Sequence, residues 1–209
     1  MKKTMKAIFA ALACVLFLAG CGEDESAKAP TKLEGYKTGE EIALKSIFGK
    51  DLILKRVEGG FVIKGDEDKI LMFDIFGTFC PPCQKEAPDL TKFQIDNLND
   101  FTIIGLTHFE NVTNEYVAEN FAQKYDAFYF ISNDIKTNDR LSAQILEDIK
   151  YERLESVPIK MVLKGGVYQE LTDVDSGKFG VKYYLGGIRL DAITKDYERI
   201  KNADRRAHV

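Results

Sequence analysis

Ile70-Leu71-Met72-Phe73-Asp74-Ile75-Phe76, followed by Gly77-Thr78-Phe79-Cys80-Pro81-Pro82-Cys83-Gln84-Lys85-Glu86-Ala87-Pro88, is the stretch on which the fold turns. The first seven residues are apolar except for Asp74, with no alternation between polar and apolar positions. A run of that kind predicts a strand buried on both faces, as in a sheet covered by helices above and below. Beyond Cys80, Ala87, Leu90, Phe93 and Leu98 fall close to helical spacing, so a helix is predicted to open at the cysteine pair. Prolines at the first positions of a helix sacrifice no intrahelical hydrogen bond, and Pro81 and Pro82 stiffen the turn at little cost.

Reading outward, residues 101–106 form a second buried strand, and residues 115–125 put Val117, Phe121 and Tyr125 on one helical face. Residues 127–132 predict a third strand, with Phe128, Tyr129 and Phe130 read as core. Leu141, Ile145 and Ile149 predict a helix over 138–153. Residues 159–163 and 167–171 flank Lys164-Gly165-Gly166, a tight-turn signature for an antiparallel hairpin. Leu190, Ile193, Tyr197 and Ile200 mark a last helix, and residues 173–187 form a Gly-containing loop with no assignment. Before the central strand, residues 52–54 and 61–63, separated by Glu58-Gly59-Gly60, predict a hairpin or two edge strands. The plan is α/β, a central mixed sheet with helices on both faces.

The chain begins with Lys2, Lys3 and Lys6, continues with an apolar run from Ala7 to Ala19, and reaches Leu18-Ala19-Gly20-Cys21. That order is the order of a secretory signal peptide. At ~1.5 Å per residue the run covers roughly 20 Å, short of the ~30 Å needed to span a bilayer. The last four residues resemble the lipobox of bacterial lipoproteins, which implies acylation of Cys21 after removal of residues 1–20. Residues 21–40 are rich in Glu, Lys, Ala, Thr and Gly and read as a flexible tether, leaving 41–209 as one folded domain. The formal charge of −4 becomes more negative once the three leader lysines are removed. No basic stripe points to nucleic acid.

Of four cysteines, Cys14 lies in the leader and Cys21 would carry lipid, leaving Cys80 and Cys83 for thiol chemistry. A cysteine at a helix start meets unsatisfied N–H groups and the positive end of the helix dipole, which favour its thiolate. A second cysteine one turn on can resolve a mixed disulfide. A zinc site would need four ligands, and the other soft candidates, His108 and His208, lie far off in sequence. No metal is therefore expected, and no cofactor beyond the redox-active disulfide itself.

Residues 74–88 resemble the active-site region of the thioredoxin superfamily, and most closely its membrane-tethered bacterial branch related to cytochrome c maturation thioredoxins. The resemblance rests on an aromatic-Cys-x-Pro-Cys run, the Lys85-Glu86 pair and Pro88. It implies a thioredoxin-like fold, with Cys80 as the solvent-facing nucleophile and Cys83 as the buried resolving thiol. Asp74 sits where the family keeps a buried acid, and Glu86 matches a carboxylate of the tethered reductases; read alone, Glu86 is equally an exposed helix carboxylate. Pro88 matches the family's helix-kinking proline, and Pro158 its cis proline beside the site. Phe79 stands where the branch usually has Trp, a residue this chain lacks altogether, so the apolar platform is kept and an indole N–H donor is lost.

The expectation is an exported, lipid-anchored protein-disulfide oxidoreductase outside the cytoplasm, on the periplasmic side where there are two membranes. It would reduce exported client proteins, apocytochrome c among them, and draw on a membrane electron donor or acceptor. The alternatives are a thiol oxidase that installs disulfides and, in another class, a client-binding or chaperone module with a vestigial dithiol.

Overall fold

A computed structural model describes residues 33–152, 154 and 156–203. The expected leader 1–20, Cys21, most of the expected tether and His208 lie outside these residues. Among the described residues, no helix is long and apolar enough to cross a membrane.

The described chain opens with a three-stranded antiparallel sheet of β1 (Glu41–Lys45), β2 (Asp51–Val57) and β3 (Gly60–Ile63), in that order. Then follow β4 (Ile70–Phe76), α1 (Pro81–Asp96), β5 (Phe101–Thr107) and α2 (Asn114–Val117), which runs into a single π turn at Ala118–Ala122. β6 (Phe130–Ser132), α3 (Ile135–Asp148), β7 (Ile159–Lys164), β8 (Val167–Tyr168), β9 (Leu171–Thr172), β10 (Phe179–Val181), β11 (Tyr184–Leu185) and α4 (Leu190–Lys201) complete the order. The main sheet runs β11-β7-β4-β5-β6, with β8 paired to β7. β4, β5 and β6 are mutually parallel, whereas β7 is antiparallel to β4, so the sheet is mixed.

All seven residues of β4 are buried, as its unbroken apolar run predicts. The pleat sends alternate side chains to opposite faces. Met72 and Phe76 join a core with residues of α1, the α2 segment and α4. Leu71, Phe73 and Ile75 join the other, with Leu141 and Ile145 of α3 and with Leu54 and Phe61 of the small sheet. Phe93, Phe101 and Tyr197 meet edge to face, centroids 5.0 to 5.7 Å apart, and tie α1, β5 and α4 together.

The structure corrects several expectations. α1 continues past Pro88 and stops at Asp96, so Leu98 falls beyond the helix and is exposed. Tyr129 and Phe130 are core, but Phe128, two residues ahead of β6 and just past the turn that ends at Asp126, is 53% exposed. α3 covers 135–148 rather than 138–153, starting where Asp134 caps the N–H of Thr137 at 2.8 Å. The hairpin after Gly165-Gly166 holds for two residues only, and β9 then leaves to pair with β10. At that turn Gly166 has φ 78°, and a Cβ on Gly60 would lie 2.2 Å from the Gly166 carbonyl oxygen. Two glycines thus let β3 approach the β7–β8 turn. Loop 173–187 contains β10 and β11, and Tyr184 anchors it through a 2.7 Å bond to the buried Asp196. Within the expected tether, Tyr36 is already buried, its N–H donating to Gln144 Oε1 at 2.9 Å.

A buried ion pair links the small sheet to α3. Arg56 of β2 meets Asp148 through both nitrogens of its fork, one of them at 2.8 Å, and Asp148 also accepts from Tyr168 (3.0 Å) and Gln144 (2.9 Å). Removing one member of a buried pair leaves the other charge uncompensated, at a cost of about 3–5 kcal/mol. Asp148→Ala is therefore expected to lower unfolding stability by about that amount, measured as a fall in the urea midpoint; a loss below about 1 kcal/mol, the scale of an exposed pair, would mean the link is not structural.

Candidate active site

The turn Gly77-Thr78-Phe79 carries the chain from the end of β4 to the cap of α1. A Cβ on Gly77 would lie 2.5 Å from the Phe79 ring, so glycine lets that ring fold back over the turn. Thr78 is held on every side. Its N–H donates to Glu110 Oε1 at 2.7 Å, its hydroxyl donates to Glu110 Oε2, and its carbonyl accepts from Gln84 Nε2 at 2.7 Å. Phe79 is left 55% exposed beside the cysteines.

Cys80 is the N-cap of α1, and its sulfur accepts from the N–H of Cys83 at 3.3 Å. Pro81 and Pro82 occupy the first helical positions, where no partner is needed for the N–H they lack. Cys80 and Cys83 are joined as a disulfide. Both cysteines are buried, at 4% and 2% exposure, so in the disulfide form Cys80 does not face solvent, contrary to expectation, and the two sites differ in their neighbours more than in their exposure. Cys80 Sγ lies 3.5 Å from the carbonyl oxygen of Val157, and the Val157–Pro158 bond is cis. The structure thus brings the Val157–Pro158 segment beside the contiguous stretch that carries Phe79, Cys80 and Cys83.

Behind the disulfide lies a charged cluster. Asp74 is 1% exposed and Glu86 4% exposed; burial excludes the reading of Glu86 as a surface carboxylate. Sequence reasoning missed the residue that joins them. Lys160 of β7 is fully buried, forms an ion pair with Asp74 at 3.2 Å, and donates a hydrogen bond to Glu86 Oε1. In Ile159–Lys164 two lysines bracket the apolar run Met161-Val162-Leu163, and nothing local sets Lys160 apart from Lys164 at the other end of the strand. What faces Lys160 is α1, and only the β4–β7 register, which sets Asp74 opposite Lys160, reveals it.

Glu86 Oε2 accepts from the N–H of Ile188 at 2.8 Å. Burial pushes the Glu86 carboxyl up to about 7, with Lys160 opposing the shift and Asp74 adding to it. Burial likewise raises Asp74 against the pull of Lys160. Burial by itself would lower Lys160, but the two carboxylates outweigh it and hold the ammonium above the usual lysine value. The buried Tyr129 phenol is also pushed well up, by burial and by Asp74. One carboxyl in this cluster therefore exchanges its proton near neutral pH, as proton transfer to or from a thiol requires. Of the two histidines weighed as metal ligands, His108 faces Asp139 at 3.1 Å, and His208 lies outside the described residues.

A carboxyl whose pKa is raised on folding stabilises the fold fully below its unfolded value and loses that contribution as pH rises through the folded value. For Glu86 the window runs from about 4.5 to about 7. Against Glu86→Gln, which does not titrate, the wild type is expected to lose on the order of 3 kcal/mol across that window. Denaturant unfolding of both proteins at intervals of pH checks this; parallel stability curves would show that Glu86 does not hold its proton more tightly in the fold.

No protein-family model matches the chain, and no curated protein matches it. Solved structures do. A thiol:disulfide interchange protein of the thioredoxin family from Chlorobium tepidum aligns with a TM-score of 0.51 at 16% identity, covering 79% of this chain and 97% of that one. A candidate thioredoxin from Neisseria meningitidis aligns at 0.51 and 16% identity, covering 84% and 97%. At this identity the likeness is one of architecture, and it agrees with the mixed sheet and its helices on both faces: the protein has the thioredoxin-like fold.

Proposed function

We propose that the protein is an extracytoplasmic thiol-disulfide oxidoreductase that reduces disulfides in exported client proteins through Cys80 and Cys83. The observation that carries this reading is the Cys80–Cys83 disulfide at the start of α1, with the Cys83 N–H aimed at the Cys80 sulfur. On reduction, that N–H and the helix dipole favour a thiolate at Cys80. The Cys80 thiolate attacks a client disulfide, Cys83 displaces the client from the mixed disulfide, and two electrons pass to the client. Exposed Phe79, Pro81 and Pro82 offer the client an apolar rim. The Chlorobium structure, described as a thiol:disulfide interchange protein, supports the same chemistry.

The reductase direction draws on charge. Asp74 and Glu86 outnumber Lys160, and net negative charge near the sulfurs disfavours the thiolate and makes the disulfide harder to reduce. The opposite reading, a thiol oxidase, draws on Lys160, which offsets part of that charge. A client-binding module with a vestigial dithiol fits poorly with a cysteine pair backed by three buried ionisable groups. The lipobox-like Leu18-Ala19-Gly20-Cys21 supports a lipid anchor at Cys21, export, and clients met outside the cytoplasm, apocytochrome c among them. A membrane electron donor would restore the dithiol.

Four measurements test this reading. Equilibration with glutathione is expected to give a potential below about −200 mV; a value near ~−120 mV would make the protein an oxidant. In the reduced protein, Cys80 is expected to alkylate faster than Cys83 at a pH well under the ~8.5 of a free thiol, and Cys83→Ala to accumulate mixed disulfides through Cys80. Equal alkylation rates, or no trapped clients, would remove the role given to Cys80. A palmitate analogue is expected to label the wild type and not Cys21→Ala, which should leave the membrane fraction; an unlabelled, soluble wild type would end the anchor reading.

A further inference from the structure

Lys160 follows the cis-bonded Pro158 by two residues and stands opposite Asp74 in the β4–β7 register. A buried ammonium costs several kcal/mol unless it is paired, and this one has two carboxylates around it. With all three ionised the cluster holds two negative charges and one positive. Its surplus is one carboxylate, so one carboxyl is the natural place for a proton to come and go. Asp74 lies inside the sheet, held by Lys160 at 3.2 Å. Glu86 instead lines a groove of about 660 Å³ with Pro82, Gly187 and Ile188, which opens a path for its proton. On α1 it also follows Cys83 by three residues and shares its buried face.

We propose that Lys160 is a positioning residue for the resolving step, fixing Glu86 at the groove wall and supplying the counter-charge that keeps this carboxyl able to accept the Cys83 proton. The proposal rests on the thiol-exchange reading above. In that step the Cys83 thiol gives its proton to Glu86, and its sulfur bonds to Cys80 Sγ. The bond between Cys80 and the client sulfur breaks, and the client leaves as a thiolate that takes a proton from solvent. The protein dithiol loses two electrons and the client disulfide gains them.

The other groups facing Glu86 leave Lys160 in this role. From the sheet side come Asp74 and the Tyr129 phenol, which brings no positive charge. From the loop before α4 comes the Ile188 N–H. At the groove rim, Lys85 and Asp89 are exposed on α1, and Arg189 is spent on Asp191 at 2.9 Å. Lys160 is the cation in hydrogen-bond contact with the carboxyl.

The test uses the reduced protein and dithiobis(nitrobenzoate), which releases one coloured thiolate when Cys80 attacks and a second when Cys83 resolves the mixed disulfide. In Lys160→Met the first release is expected to stay within about twofold of wild type, while the second slows by roughly tenfold or more and its pH inflection moves upward. Lys160→Gln, which keeps a hydrogen-bond donor without the charge, is expected to behave like Lys160→Met and covers the case in which methionine is not tolerated. Lys160→Arg should recover most of the second release, and Glu86→Gln should slow it with no inflection. Equal slowing of both releases, or an unchanged second release, in a folded neutral variant would overturn the role of Lys160. A wild type that releases nothing at Cys80 would instead overturn the thiol-exchange reading.

Discussion

The burial of β4 on both faces is the constraint from which the rest of the molecule follows. A seven-residue strand with no solvent face must hydrogen-bond on both edges and be covered on both sides. β5 and β7 satisfy its edges. α1 and α4 cover one face, and α3 with the small sheet covers the other. At the C-terminal end of this strand the chain surfaces at Phe79, and the turn Gly77-Thr78-Phe79 delivers Cys80 to the start of a helix. The nucleophile candidate is therefore separated by only these turn residues from a strand paired on both edges, and the clamp on Thr78 by Glu110 and Gln84 holds the turn between them.

The same burial makes Asp74 expensive, since a lone carboxylate in the middle of a sheet would be driven to its neutral form. The fold offsets this with a second unusual residue, Lys160, and the excess of carboxylate over ammonium is then carried by Glu86 beside the groove. The cluster joins β4, β7 and α1, so the chemistry of the site and the packing of its supports are one set of interactions. That arrangement ties proton exchange behind the disulfide to the register of two strands.

Farther from the cysteines, the fold is tied by polar anchors of the same kind at lower stakes. Arg56–Asp148 joins the small sheet to α3, and Asp196 of α4 receives Tyr184 of β11 and Thr172 of β9 where the loop after β9 returns to the domain. Each crosses between elements that also share a core. Specific hydrogen bonds there set an orientation that non-directional burial would leave loose.

Much of this was legible from local sequence. The unbroken run of β4, the helical spacing after Cys80 and the cysteine pair with its prolines fixed the α/β plan and the place of the disulfide, because periodicity and capping are properties of neighbouring residues. Tyr129 and Phe130 went to the core as expected, while Phe128 and Leu98 did not, since a single residue's distance from the end of an element decides its burial. Of the short strands, β9 was touched by the strand expected over 167–171, whereas β10 and β11 carried no local pattern, two or three residues being too few to show a period. Glu86 was undecided, its burial depending on the loop that brings Ile188 and on β7. Lys160 gave no signal, for nothing local distinguishes it from Lys164 at the other end of the same short strand. By itself the sequence determined the central strand, the helix start and the dithiol; only the tertiary structure decided which charges meet behind it, because a buried ion cluster is defined by strand register and packing between segments that no local pattern encodes.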